Sequence, residues 1–285
     1  MNIPFRSSAI ALAALALALP ARAQAPDASQ QLFESIKWQD GPDTARIGTE
    51  SQVVVPPNCR FTSQEGTHAF LQLTENPSSE RDLALMLCST GEGEDEDSWF
   101  VVFSFDDSGY VQDNDAGDLD ADAILKSLRD GNEAANVERR SKGWTTLTLD
   151  RWVKAPFYDP RTNNLTWATE VTALGEGKSV NHSVRLLGRG GVMNADLITD
   201  PAQFEKALPA FDAIVASHSF LPGRRYSEWR EGDKMAGYGL TALVAGGAVA
   251  AAAKTGLLGK LLKPIGVALV AFFAWLRSLF SRKKD

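Results

Sequence analysis

Apolar residues recur at every second position in several short runs of this chain and at every third or fourth in a few longer ones, which divides it into strands and helices. Gln30 to Trp38 and Gly66 to Leu73 have helical spacing, the latter stopping before Pro77. Thr44 to Phe61 alternates in the manner of two strands broken near Glu50, and Pro56-Pro57 ends the second or holds it at a sheet edge. Leu83 to Cys88 and Trp99 to Phe105 are apolar runs of strand length. After the turn signal Asp106-Asp107-Ser108-Gly109, Tyr110 to Gln112 is predicted to fold back on Trp99 to Phe105 as a hairpin. Leu119 to Ser141 reads as the longest helix, with Ile124, Leu125, Leu128, Ala134, Ala135 and Val137 as its apolar positions and Asp118 or Asp120 at its N-cap. Gly131 is a point where it could break. Thr145 to Leu149, Leu165 to Ala173, Ser179 to Leu187 and Val192 to Ile198 read as strands, joined in part by glycine turns at 175–177 and 188–191. Pro201 opens a helix to about Ser217, with Phe204, Leu208, Phe211, Ile214 and Val215 inward. Antiparallel neighbours outnumber crossovers, so the expected class is α+β with a mostly antiparallel sheet and packed helices, plus a C-terminal transmembrane helical segment.

Two apolar stretches frame these elements. Residues 1–23 have the form of an export signal: Arg6, then the short apolar run Ile10 to Leu19, then the small-residue cleavage site Ala21-Arg22-Ala23. At the other end, Tyr238 to Leu258 and Leu261 to Phe280 are each long enough to cross a bilayer, and Arg282, Lys283 and Lys284 follow. The basic flank favours a cytoplasmic C-terminus and a single crossing, with either stretch as the span. The chain is thus expected to comprise a signal peptide (1–23), a periplasmic domain (24–235) and an inner-membrane anchor with a basic tail (236–285).

Charge narrows the partners. The chain of 285 residues carries a net charge of −7 although its tail is basic, which argues against nucleic acid as a ligand. Glu92 to Asp97 is a dense acidic turn, best read as a solvated loop. The only cysteines, Cys59 and Cys88, are expected to pair in an oxidising compartment, the alternative being two buried thiols. A bridge closing roughly 30 residues would contribute about 3 to 4 kcal/mol.

No motif names a reaction. There is no nucleophile elbow, no zinc-protease helix and no phosphate loop, and His68, His182 and His218 have no metal-ligand spacing with the cysteines. No cofactor is expected. Asp113, Asp115, Asp118, Asp120 and Asp122 invite a calcium reading, but the glycine and the twelfth-position glutamate of such a loop are misplaced, so they read as a polar lead into a helix N-terminus. The densest chemistry is a group of aromatic and charged residues, Trp152, Tyr158, Asp159, Trp167, Arg185 and Arg189, taken as the candidate interaction surface. Core packing of the tryptophans and structural pairing of the arginines are the competing account.

The order of Gly109-Tyr110-Val111, Leu119-Asp120-Ala121-Asp122, Trp152 to Asp159, Leu165-Thr166-Trp167-Ala168, Arg185 to Val192, Gly232-Asp233-Lys234 and Tyr238-Gly239-Leu240 resembles a bacterial family of uncharacterised membrane-anchored proteins, domain of unknown function 2167. The resemblance implies an exported, membrane-tethered domain and transfers no active site. The functional expectation is a binding or interaction module for an envelope component or envelope protein, and the alternative is an envelope-acting hydrolase with a carboxylate- or His182-based site.

Overall fold

A computed structural model describes residues 28–89, 98–175 and 177–244. The export segment, the acidic run Glu92 to Asp97 and the apolar stretch from Ala245 onward lie outside the described residues.

Among the described residues eleven strands and five α-helices follow in chain order. Helix α1 (Ala28–Ser35) precedes β1 (Gln39–Asp40), β2 (Asp43–Ile47), β3 (Ser51–Val55) and β4 (Cys59–Ser63). Then come α2 (Gln64–Leu73), β5 (Asp82–Ser89), β6 (Ser98–Asp106) and α3 (Ala121–Ser141). The second half holds β7 (Leu147–Asp159), β8 (Asn164–Ala173), β9 (Gly177–Leu187), β10 (Val192–Thr199), α4 (Phe204–Ser217), β11 (Ser219–Phe220) and α5 (Leu240–Val244). Eight strands form one sheet in the order β1-β4-β5-β6-β10-β9-β8-β7, and β11-β3-β2 form a small second sheet. Every strand pairing is antiparallel. The expected α+β class with a mostly antiparallel sheet is observed. Among the described residues no helix is long and apolar enough to cross a membrane.

Alternation explains the core. On β6 and β10, Trp99, Val101, Phe103, Met193, Ala195 and Leu197 all point to one face, where each is at most 2% exposed. There they meet Phe204, Phe211 and Ile214 of α4 and Val53 and Val55 of the small sheet. Burying each such side chain stabilises by about 1.5 to 3 kcal/mol. Cys59 and Cys88 lie directly opposite one another on β4 and β5 and are joined by a disulfide across 29 residues of chain.

The opposite face is covered unevenly. Phe70 and Leu71 of α2 pack with Ile36 on Leu85 and Val102 at one end. At the other end Ile124 of α3 and Leu240 and Leu243 of α5 pack with Val111 on Leu165, Trp167, Leu187 and Val192.

Three expectations are corrected. Tyr110 to Gln112 does not pair with β6, whose edges are taken by β5 and β10; Tyr110 forms a parallel bridge with Met235 instead. Pro56-Pro57 separates two strands, β3 and β4, which enter different sheets, so Thr44 to Phe61 holds parts of three strands. In α3, Val137 is 61% exposed while Asn136 and Arg139 are buried. The reason is the free edge of β7, which needs hydrogen-bond partners more than apolar cover. Asn136 donates from Nδ2 to the Leu147 carbonyl at 2.7 Å and accepts from the Leu147 N–H at 2.9 Å, as a neighbouring strand would. Asn132 donates to the same Leu147 carbonyl, Arg129 to those of Leu149 and Asp150, and Arg139 to that of Thr145. Gly131 does not interrupt α3, and Asp120 caps it, accepting from the N–H groups of Asp122 and Ala123 at 3.1 and 3.0 Å.

Candidate functional site

Between the two covered ends, the centre of the sheet face is left open as a groove of about 670 Å3. Leu73 gives it an apolar wall, and on its floor Phe100, Val171 and Ile198 lie beside the polar Ser179, Asn181 and Asp196. Glu75, Asp82 and Arg139 add charged groups to the lining, with Glu75 and Arg139 both bonded to Thr145. The floor follows from sequence register: on β9 and β10 the face away from α4 carries Ser179, Asn181, Ser183, Arg185, Asn194 and Asp196 between the apolar Leu187, Val192 and Ile198, while Val180, Val184, Met193 and Ala195 fill the main core. A face built only to be packed would carry apolar residues at these positions, because each buried polar group must find a partner or lose stability.

These polar groups are ordered by one another. Asp196 accepts at Oδ1 from Ser183 Oγ at 2.6 Å and from Arg185 Nη1 at 2.8 Å. The Arg185 guanidinium in turn lies 4.7 Å from the centre of the Trp167 ring, and Asn194 donates to Ser104 Oγ at 2.9 Å. Both protein bonds to Asp196 use the same oxygen, so Oδ2 can accept from a bound molecule.

Of the six residues the sequence singles out, the fold joins Trp167 and Arg185 directly. Trp152, Tyr158 and Trp167 share one apolar cluster under α3 and α5. Trp152 donates from Nε1 to the Ala121 carbonyl at 3.1 Å, and the Tyr158 hydroxyl donates to Asp113 at 2.8 Å. Burial, followed by that bond to Asp113, pushes the Tyr158 hydroxyl upward. Asp159 and Arg189 stand apart in their own ion pairs. Hydrogen bonds from Arg161 hold the Asp159 carboxyl below its usual range, and Arg189 grips Asp233 through two bonds of 2.7 and 2.8 Å, lowering that carboxyl to about 2.

The remaining candidates are structural. His182 faces the main core, edge-on to Phe204 and Phe211, with Nδ1 at 2.9 Å from the Trp167 carbonyl. Burial, reinforced by Lys154, pushes it down to about 4. It is on the opposite face from the groove. In the aspartate series, Asp113 receives Tyr158, Asp120 caps α3, and Asp115 accepts from the N–H groups of Leu240 and Thr241 at 2.9 and 3.2 Å. Among the described residues no three His, Cys, Asp or Glu side chains gather as metal ligands.

Sequence reading missed Asn181, Asn194 and Asp196. The signal was present as polar residues at alternate positions of two strands whose other positions are apolar, a pattern that an outer, solvated face also produces.

The chain leaves this domain along a strap. Tyr110 N–H donates to the Lys234 carbonyl at 2.8 Å and Ala236 N–H to the Tyr110 carbonyl at 2.9 Å. The Tyr238 hydroxyl reaches Asp106 at 3.0 Å. A Cβ on Gly109 would stand 2.6 Å from the Lys234 carbonyl oxygen, and one on Gly239 would stand 2.6 Å from the Asp115 carboxylate.

An antiparallel sheet with helices at both ends of one face and an open, polar-floored groove between them defines an α+β domain with a formed cavity. The chain belongs to the family described as protein of unknown function (DUF2167), whose model matches residues 39–276. Among solved structures, the solution structure of cyanobacterial PsbP (CyanoP) from Synechocystis sp. PCC 6803 is similar at 13% identity and a TM-score of 0.35, over 65% of this chain and 92% of that one. No curated protein matches the chain.

Proposed function

We propose that this protein is a binding module of the bacterial cell envelope, held at the inner membrane by its C-terminal stretch, with its domain in the periplasm and its ligand received in the groove between α2 and α3. The polar floor at the centre of the sheet is the observation that carries this reading. Its volume of about 670 Å3 falls in the range of sites for small molecules or short polymer segments. The apolar lining supplies affinity, and the Asn181 amide and the Asp196 carboxylate supply direction. The export-type N-terminus and the basic flank after Phe280 support the placement.

In-cell photocrosslinking tests the reading. A benzophenone amino acid at Ser179, in the groove, should capture a discrete envelope species, and one at Val54, exposed on β3 of the small sheet, should not. Capture at Ser179 should vanish when Asn181→Trp fills the floor. Equal capture at both positions, or capture unaffected by the filled floor, would refute the groove as the binding site.

A further inference from the structure

A second concavity lies beside the strap. About 320 Å3 in volume, it is lined by Arg189, Gly190, Gly223, Arg224, Asp233 and Lys234. Three cationic side chains therefore face one carboxylate, and that carboxylate is already neutralised by Arg189. Of the other two cations, Lys234 is 2.7 Å from Asp107, a side chain 80% exposed, and Arg224, itself half exposed, is 3.6 Å from the largely buried Glu50 carboxylate. The exposed Lys234–Asp107 pair holds weakly and the Arg224–Glu50 contact is long, so a phosphate can draw both cations into the hollow.

Next to this basic hollow is an apolar, aromatic rim. Tyr110 stacks on Tyr226 with ring centres 4.4 Å apart, and Trp229 leans on Tyr110 at 5.4 Å. Among the described residues, Trp229 and Met235 are two of the large apolar side chains left open to solvent, at 40% and 41%. Met235 bridges to Tyr110, so residues distant in sequence form one patch. A few residues later the chain enters the apolar stretch that begins at Tyr238.

We infer that this rim rests on the bilayer and that the hollow of Arg189, Arg224 and Lys234 seats the headgroup of an anionic phospholipid. Tyrosine and tryptophan favour the water–lipid boundary, where their apolar bodies and polar tips are both satisfied. Arginine and lysine beside them match a lipid phosphate in charge, and a surface carrying anionic lipid attracts them further. The pinned strap fixes the rim in place: Lys234 and Met235 are held against Gly109 and Tyr110, and α5, which follows, packs Leu240 and Leu243 into the domain before the apolar stretch runs on. The inference rests on the C-terminal stretch entering a bilayer, and it adds a specific lipid contact to that reading.

The test uses the full chain reconstituted into vesicles of phosphatidylcholine alone or with about 30% phosphatidylglycerol. An environment-sensitive fluorophore is placed at Met235→Cys and, in separate samples, at Val137→Cys and Phe157→Cys, two other exposed apolar positions. Brominated lipid should quench the label at 235 well above the other two, and more strongly when phosphatidylglycerol is present. Arg224→Gln and Lys234→Gln should each lower the lipid-exposed to water-exposed ratio about fivefold in the anionic vesicles and hardly at all in the neutral ones. A label at 235 that stays in water while the chain remains vesicle-bound overturns the resting surface. Quenching indifferent to phosphatidylglycerol or to both charge removals overturns the headgroup site, as does loss of the effect in excess inorganic phosphate with neutral vesicles performing equally well. A chain recovered free of both vesicle types removes the anchoring itself, an outcome distinct from the others.

Discussion

Replacing Trp167 by alanine separates a packing role from a surface role, because the two predict different losses. The indole is 4% exposed and sits in the cluster that Tyr158, Leu165, Val192 and Leu240 share. Truncating a buried Trp leaves a cavity and costs about 3 to 5 kcal/mol. Its ring also carries the Arg185 guanidinium at 4.7 Å, a contact contributing about 0.5 to 1 kcal/mol more. For a domain of this size each kcal/mol lowers the melting midpoint by about 2 to 4 °C, so Trp167→Ala should melt roughly 7 to 24 °C below the parent. Arg185→Ala should cost less, about 1 to 3 kcal/mol, because it leaves Asp196 with Ser183 as its protein partner. The measurement is thermal unfolding of the full chain in detergent, followed by near-ultraviolet circular dichroism. A fragment ending at Arg230 would be a poor substitute, since it lacks Lys234, Leu240 and Leu243, which hold the strap to the same cluster. A Trp167→Ala midpoint within about 2 °C of the parent would refute the packing role.

The disulfide and a buried histidine give two further expectations. Cys59→Ala with Cys88→Ala should lower stability by about 3 to 4 kcal/mol on the loop-entropy model, for a bridge spanning 29 residues; a reduced and an oxidised sample melting together would contradict it. His182 is held down to about 4 in the fold, chiefly by burial, against about 6.5 when unfolded. The unfolded chain therefore binds the extra proton first, and stability should fall as pH drops from about 6.5 towards 4. His218, also lowered to about 4 by burial, contributes in the same window, so His182→Phe should reduce the slope of stability against pH without abolishing it. Identical slopes for parent and variant would exclude His182 as a source.

The fold was legible where a single local period decided the matter. β5, β6, β8, β9 and β10 lie close to the apolar runs that announce them, and α4 buries Phe204, Phe211 and Ile214, three of the five positions its spacing assigns inward. What escaped was set by distant partners. Nothing local tells that Asn136 stands in for a strand beside Leu147, because a polar residue at helical spacing ordinarily faces water. Tyr110 looked like the second arm of a hairpin because Asp106 to Gly109 has the residues of a turn, yet its partner is Met235, 125 residues on. The groove was hidden for a related reason. Alternation on β9 and β10 shows two kinds of face, but only the placement of α2 and α3 decides that the polar one becomes a cavity floor.

Strict local demands gather where the strap leaves the sheet, away from the groove. Gly109 has φ +96° and a Cβ there would stand 2.6 Å from the Lys234 carbonyl oxygen of the strap, while one on Gly239, in the strap itself, would stand 2.6 Å from the Asp115 carboxylate. Arg189, Asp233 and Lys234 belong to short motifs far apart in sequence, and all three line one hollow beside that strap. Leu240 and Leu243, just beyond it, pack into the cluster that contains Trp167, and Trp167 supports Arg185 and through it Asp196 at the groove floor. The groove floor and the chain exit are therefore built on shared side chains. A change that loosens the exit, such as a side chain at Gly239, removes support from Trp167 as well, and the polar floor loses the packing that holds Arg185 against Asp196.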